Sequence, residues 1–201
     1  MRLASESTQG HRLIWACVGL SWAAASAGGL FLLAAYSNTP SAIGAAPRQW
    51  PPNEQIPLSS SEYTLLFFAH PKCPCTAASL GELEKVLARC PNEASVWTVF
   101  YEPRNVADPW QHSDLCRRAA TIPGVHVVRD IDGALAQRFG AGTSGQTLLY
   151  NPRGDLLFNG GITFARGHSG DNAGASAIEL RLAGEPSDCE RTEVFGCSII
   201  D

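Results

Sequence analysis

The chain has 201 residues, of which 45% are hydrophobic and only 17% charged, against roughly 25% charged in an average soluble domain. Its 15 basic and 19 acidic residues leave a net charge of −4, and with no basic run the chain lacks the basic face that a nucleic-acid binder presents. The same composition excludes collagen, a coiled coil, a disordered chain and a polytopic membrane protein, while seven cysteines are too few for a domain held only by disulfides.

Residues 13–36 carry no formal charge. As a helix they would reach about 36 Å at 1.5 Å per residue, enough for a bilayer core of roughly 30 Å. Arg2 and Arg12 precede the run and no charge follows until Arg48, so the positive-inside rule predicts a cytoplasmic N-terminus over residues 1–12 and an outward-facing remainder. A cleaved signal peptide ending near Ala34 and Ala35 is the alternative, but such apolar cores usually run about 7–15 residues. An uncleaved anchor over 13–36 is therefore preferred, with Cys17 inert inside it. Residues 37–62, rich in Ser, Pro, Ala and Asn, read as an extended linker. Residues 63–201 form the domain.

Within that domain, residues 64–70 are an apolar run typical of a buried strand. Leu80, Leu83, Val86 and Leu87 share one face of a helix over 76–89, and Pro91 stops it. Residues 95–101 read as a second strand, 109–121 as a helix and 125–129 as a third strand. Asp132 is placed to cap a short helix carrying Leu135 and Phe139. Residues 146–150 and 155–158 flank Asn-Pro-Arg-Gly, a hairpin signal, and 172–182 form the last helix, capped by Asp171 or Asn172. The order β-α-β-α-β-α-β-β-α predicts an α/β fold with a central mixed sheet and helices on both faces.

His70-Pro-Lys-Cys73-Pro-Cys75-Thr76 falls where the first strand ends and the first domain helix begins. Unpaired N–H groups and the helix dipole there stabilise an anion, so a cysteine tends towards thiolate, the form that attacks disulfides or binds soft metals. Lys72 adds positive charge. Pro74 fixes one backbone angle, so a Cys73–Cys75 bridge would close a small, strained and easily reduced ring.

Leu-Phe-Phe-Ala-His-Pro-Lys-Cys-Pro-Cys, with the hairpin and final helix, resembles the thioredoxin-like superfamily. The helix and strand added between Tyr101 and Gly145 resemble its TlpA/ResA and peroxiredoxin branch. HPKCPCTAAS, Thr143-Ser-Gly-Gln, GGIT-x-ARGH-x-GDNAG and the ending Val-Phe-Gly-Cys together look like the uncharacterised RedB-like proteins. The resemblance implies a thioredoxin-like fold and redox chemistry with Cys73 and Cys75 as the exchanging pair. Against the superfamily's Cys-x-Pro-Cys, either Lys72 stands where the first cysteine belongs or Cys73 is that cysteine and one residue is missing, and Gly145 holds the place of the cis-proline.

The hairpin returns the glycine-rich loop after residue 160 to the sheet edge that carries Cys73 and Cys75. His168 can then move protons, join Arg166 in a substrate clamp, or complete a copper(I) site with both cysteines; the alternative is a loop histidine bonded to local backbone. His70, next to Pro71, reads equally as a turn residue. Cys189 and Cys197 are spaced to close a terminal loop, or one of them resolves a mixed disulfide of Cys73 or Cys75.

These readings converge on a membrane-anchored, extracytoplasmic thiol–disulfide oxidoreductase. Cys73, Cys75, Lys72 and His168 are its candidate catalytic residues. Its partners would be protein or small-molecule thiols and disulfides and an electron donor, with no resident cofactor. The alternative is a copper(I) chaperone similar to the Sco proteins, using Cys73, Cys75 and His168. A thiol peroxidase is disfavoured because the peroxiredoxin threonine–cysteine spacing is absent.

Overall fold

The computed structural model describes residues 3–52, 55–104 and 113–200, which divide into two units. In the first, helix α1 runs over Leu3–Ser37. Its Gly10–Ser37 stretch has a mean hydropathy of 1.7 and is long and apolar enough to cross a membrane. Leu13, Trp15, Trp22, Phe31 and Leu33 are all exposed along it, so the helix lacks the polar face that a soluble amphipathic helix keeps towards water.

The second unit, Asn38–Asp201, carries β1 (Tyr63–Ala69), α2 (Thr76–Arg89), β2 (Ala94–Glu102), α3 (Asp114–Thr121), β3 (Val125–Ile131), α4 (Ala134–Arg138), β4 (Thr147–Tyr150), β5 (Leu156–Gly160) and α5 (Ala173–Leu182). The sheet order is β3-β2-β1-β4-β5. β1 pairs in parallel with β2 and antiparallel with β4, β2 is parallel to β3, and β4 and β5 form the antiparallel hairpin. This is the thioredoxin-like arrangement that the sequence implies, with α3 and β3 as the added elements. Residues 109–112 of the helix expected over 109–121 lie outside the described residues. From there Ser113 caps α3 by accepting the Cys116 N–H.

β1 is central and buried from Thr64 to Ala69, so it is apolar on both faces, as interior strands must be. Leu65, Phe67 and Ala69 meet Leu80, Leu83 and Val86 of α2, Cys116 and Ala119 of α3, and Ile178 and Leu182 of α5. Leu66 and Phe68 point to the opposite face, where they meet Leu135, Phe139, Leu148 and Tyr150.

That second face explains a departure from the sequence reading. The described residues of the 38–62 segment have neither helix nor strand, yet they lie on the domain instead of hanging from it. Among the described helices only α4, five residues long, packs on this face, which leaves Phe68, Phe139 and Tyr150 in need of cover. Trp50 supplies it edge-on to Phe139 and Tyr150, with ring centroids 5.0 Å away in both cases, and Ile56 is 1% exposed. Main-chain bonds from Ser41 N–H to Val194 O and from Trp50 N–H to Gly154 O, both 2.8 Å, fix the path. The Tyr150 hydroxyl donates to Pro47 O at 2.9 Å.

The cap of α4 is a second correction. Asp130, not Asp132, accepts the Leu135 and Ala136 N–H groups at 2.7 and 2.8 Å. Asp130 lies inside β3 and is buried, whereas Asp132 has φ +55° and forms the turn with Gly133. A side chain aimed back from a strand end reaches the helix N-terminus better than one rotated away in the turn.

Candidate functional site

Two tight turns take the chain from β1 into α2. Cys73 N–H donates to His70 O and Thr76 N–H to Cys73 O, both at 3.1 Å. His70 is a turn residue: its Nδ1 accepts the Lys72 N–H at 3.1 Å, and its ring stacks on Tyr101. Cys75 is the N-cap of α2. Cys73 is 1% and Cys75 8% exposed, while Lys72 projects to solvent.

Residues 143–146 form the facing wall. Gly145 N–H donates to Phe68 O at 2.7 Å and Phe68 N–H to Gln146 O at 2.9 Å, with Gly145 at φ +93°. The Ser144 hydroxyl accepts the His70 N–H at 2.9 Å and lies 2.7 Å from the Thr76 hydroxyl. A consistent direction follows, because each hydroxyl has one proton. Ser144, held by His70, donates to Thr76, whose own proton faces both His70 O, at 3.4 Å, and the Cys73 sulfur.

The C-terminal segment pairs along this wall. Ser144 N–H donates to Cys197 O at 2.8 Å and Ile199 N–H to Gly142 O at 3.0 Å. This pairing carries Cys197 onto Cys73, where the Cys197 N–H donates to the Cys73 sulfur at 3.4 Å. The expected loop between Cys189 and Cys197 is not what forms: the Cys189 thiol turns to Arg191 O at 3.7 Å, and all seven cysteines are unbridged. Cys197 thus lies beside Cys73, where its other use open from sequence, as a resolving thiol, requires it to be.

The three thiols do not share charge equally. Burial pushes the Cys73 thiol up, but hydrogen bonds from the Cys197 thiol and N–H, the Thr76 hydroxyl and the Cys75 N–H outweigh it, and the net direction is down. Burial and the Cys73 charge raise Cys75, against the pull of Arg166. Burial and the hydrogen bond to Cys73 push Cys197 up to about 12. Of the three thiols, Cys73 is therefore the one favoured to ionise.

Arg166 is the cation the structure brings to Cys75. It also donates to Gly196 O at 2.5 Å, to the Ser41 hydroxyl at 2.6 Å and to Thr39 O at 3.2 Å, which ties the glycine-rich loop to both ends of the unit. The loop reaches this edge as topology requires. Gly170 N–H donates to the buried Glu82 of α2 at 2.9 Å, and Asn172 caps α5. His168 is exposed on this loop, with Nδ1 2.8 Å from Arg166 O and its ring beside Phe164, the local-backbone reading. Cys73, Cys75 and His168 are not gathered as a ligand set: among the described residues no group of three His, Cys, Asp or Glu side chains is placed to hold a metal ion.

Sequence reasoning singled out Cys73, Cys75 and Arg166. It did not give Thr76 and Ser144 their part, although both stood inside quoted segments, and it placed Cys197 at this sulfur only as a lesser alternative.

No family model matches the chain, and no curated protein matches it. Among solved structures it is similar to an uncharacterized conserved protein from Geobacillus kaustophilus, with TM-score 0.58 and 16% identity over 82% of this chain and 94% of that one. A hypothetical protein from Sinorhizobium meliloti matches with TM-score 0.56 and 18% identity over 80% and 93%. A thioredoxin-like protein in its oxidized form matches with TM-score 0.47 and 17% identity over 75% and 97%. The likeness is one of fold.

Proposed function

We propose that this chain is a membrane-anchored thiol–disulfide oxidoreductase, with α1 as the anchor, the domain on the extracytoplasmic side and Cys73 as the nucleophile. The observation that carries the reading is the Cys73 sulfur. It sits at the start of α2 and receives two N–H groups, a hydroxyl and a thiol, an arrangement that stabilises a thiolate. A thiolate attacks one sulfur of a partner disulfide, forms a mixed disulfide and expels the other sulfur as a thiol; a second thiol of the chain then releases the partner.

The partners are protein or small-molecule thiols and disulfides, together with an electron donor. Cys75 is the partner thiol within the motif. The exposed Lys72 supplies positive charge next to Cys73 in sequence, and the exposed His168 of the glycine-rich loop is the candidate proton carrier. The uncharged length of α1 and the arginines before it support the anchor and its orientation. Copper(I) carriage by Cys73, Cys75 and His168 has no comparable support, since His168 is engaged with the Arg166 carbonyl.

Dithiothreitol-driven reduction of insulin disulfides by the full chain in detergent tests this reading. Cys73→Ser is expected to fall to the uncatalysed rate, and retention of wild-type activity by that variant would refute the mechanism.

A further inference from the structure

Cys197 lies 124 residues beyond Cys73 in sequence, yet its N–H meets the Cys73 sulfur at 3.4 Å. It is carried by a short strap. Phe195 and Ile199 are buried at 6% and 2%, and the intervening Gly196, Cys197 and Ser198 cross the mouth of the site. Four bonds tie the strap to the domain: Ser144 N–H to Cys197 O at 2.8 Å, Ile199 N–H to Gly142 O at 3.0 Å, Arg166 Nη1 to Gly196 O at 2.5 Å and the Ser41 hydroxyl to Gly196 O at 2.7 Å. Gly196 lies so close that a Cβ there would fall 1.9 Å from Ser144 O. With Cys73 1% exposed, a disulfide reaches the nucleophile only when this strap lifts.

Resting on the thiol–disulfide reading, we propose that Cys197 is the resolving cysteine: the redox pair is Cys73–Cys197, and the strap opens to admit a substrate disulfide and closes to expel it. In the first step the Cys73 thiolate bonds to one substrate sulfur, the substrate S–S bond breaks, and the departing sulfur leaves as a thiolate that takes a proton from solvent. In the second the Cys197 thiol gives up its proton to solvent and attacks the Cys73 sulfur. The mixed disulfide breaks, the remaining substrate sulfur leaves as a thiolate and is protonated, and a Cys73–Cys197 bond forms. The protein dithiol loses two electrons and two protons, and the substrate disulfide gains both.

Two arguments favour Cys197 over Cys75. A Cys73–Cys75 bridge closes a small ring around Pro74, whereas Cys197 approaches on a separate segment free of that constraint. The timing also fits. Burial holds Cys197 protonated, and so does its hydrogen bond to the Cys73 thiolate. Formation of the mixed disulfide removes the thiolate, leaving the Arg166 charge as the pull towards ionisation. The resolving thiol is thus held back until the nucleophile has reacted.

The test uses the full chain in detergent, reduced and then given one equivalent of oxidised glutathione at neutral pH, with disulfides mapped by mass spectrometry. The wild type is expected to release both glutathione thiols and to yield a Cys73–Cys197 bridge, a result that needs no variant to fold. Cys197→Ser is expected to retain glutathione on Cys73 with a lifetime lengthened about tenfold or more, while Cys75→Ser still forms the Cys73–Cys197 bridge. A Cys73–Cys75 bridge in the wild type, trapping in Cys75→Ser in place of Cys197→Ser, or an adduct that persists on wild-type Cys73 overturns the assignment but leaves the thiol–disulfide reading intact. Failure of Cys73 to take up glutathione overturns that reading itself.

Discussion

Ionisation of the buried Cys73 is favoured because its hydrogen-bond donors replace water. Hydrogen bonds to a charged group contribute about 1.5–3 kcal/mol each, and the chain His70 N–H, Ser144, Thr76 turns a hydroxyl proton towards both His70 O and the sulfur in a setting where such chains reinforce one another. Thr76→Val removes the last donor. The Cys73 titration, followed as thiolate ultraviolet absorbance in the wild type minus Cys73→Ser, is expected to move to higher pH in that variant. An unchanged titration would mean that the hydroxyl does not address the sulfur. The sign carries over to stability. The folded state holds Cys73 below its unfolded value, so its contribution is fully present above the unfolded thiol value and is lost as pH falls through the folded one. The motif and its helix-start position were legible because they are contiguous. The alignment of Thr76 with Ser144, 68 residues away, required the register of β1 against β4.

At the level of elements, the local signals held. The apolar run of β1, the Leu80, Leu83 and Val86 stripe of α2 and the Asn-Pro-Arg-Gly hairpin each fix a period or a turn within a few residues, and the element order followed. Two features had no local signature. Asp130 caps α4 only because β3 brings its carboxylate to the helix start, which nothing in Asp-Ile-Asp-Gly distinguishes from Asp132. The strap pairs with residues 142–144 through main-chain groups that any sequence possesses. Its one readable trace is Gly196, where contact with Ser144 O leaves no room for a Cβ. Gly196→Ala must therefore lift the strap or displace residues 143–145. Alkylation of Cys73 by iodoacetamide is expected to quicken about tenfold, since local opening of a few hydrogen bonds governs access to buried groups. Equal rates in wild type and variant would show that the strap does not limit entry.

The whole molecule shows why residues 38–62 are part of the domain. A sheet needs both faces covered. Here α2, α3 and α5 share one face, while the other has the single helix α4 with Ile56, Ile199 and the flanking Trp50 and Leu58. Sequence could not distinguish this cover from a tether, because Trp50 and Ile56 stand among prolines with no helical or strand period. If the segment were only a tether to α1, truncating its apolar side chains would cost nothing. As cover, Ile56→Ala removes a fully buried side chain and is expected to cost about 3 kcal/mol, within the range for large-to-small core substitutions. For a domain of this size that lowers the melting temperature by roughly 6–12 °C. The edge-on contacts of Trp50 with Phe139 and Tyr150 give Trp50→Ala a loss of about 2 kcal/mol, smaller because the indole is only half-buried. Thermal unfolding of the full chain in detergent, followed by near-ultraviolet circular dichroism, measures both losses. The same segment supplies Thr39 and Ser41 to Arg166, so loosening its hold at Trp50 should also loosen the guanidinium that anchors Gly196. Trp50→Ala is therefore expected to speed Cys73 alkylation as well as to lower the melting temperature, whereas a segment acting as cover alone would show only the second effect.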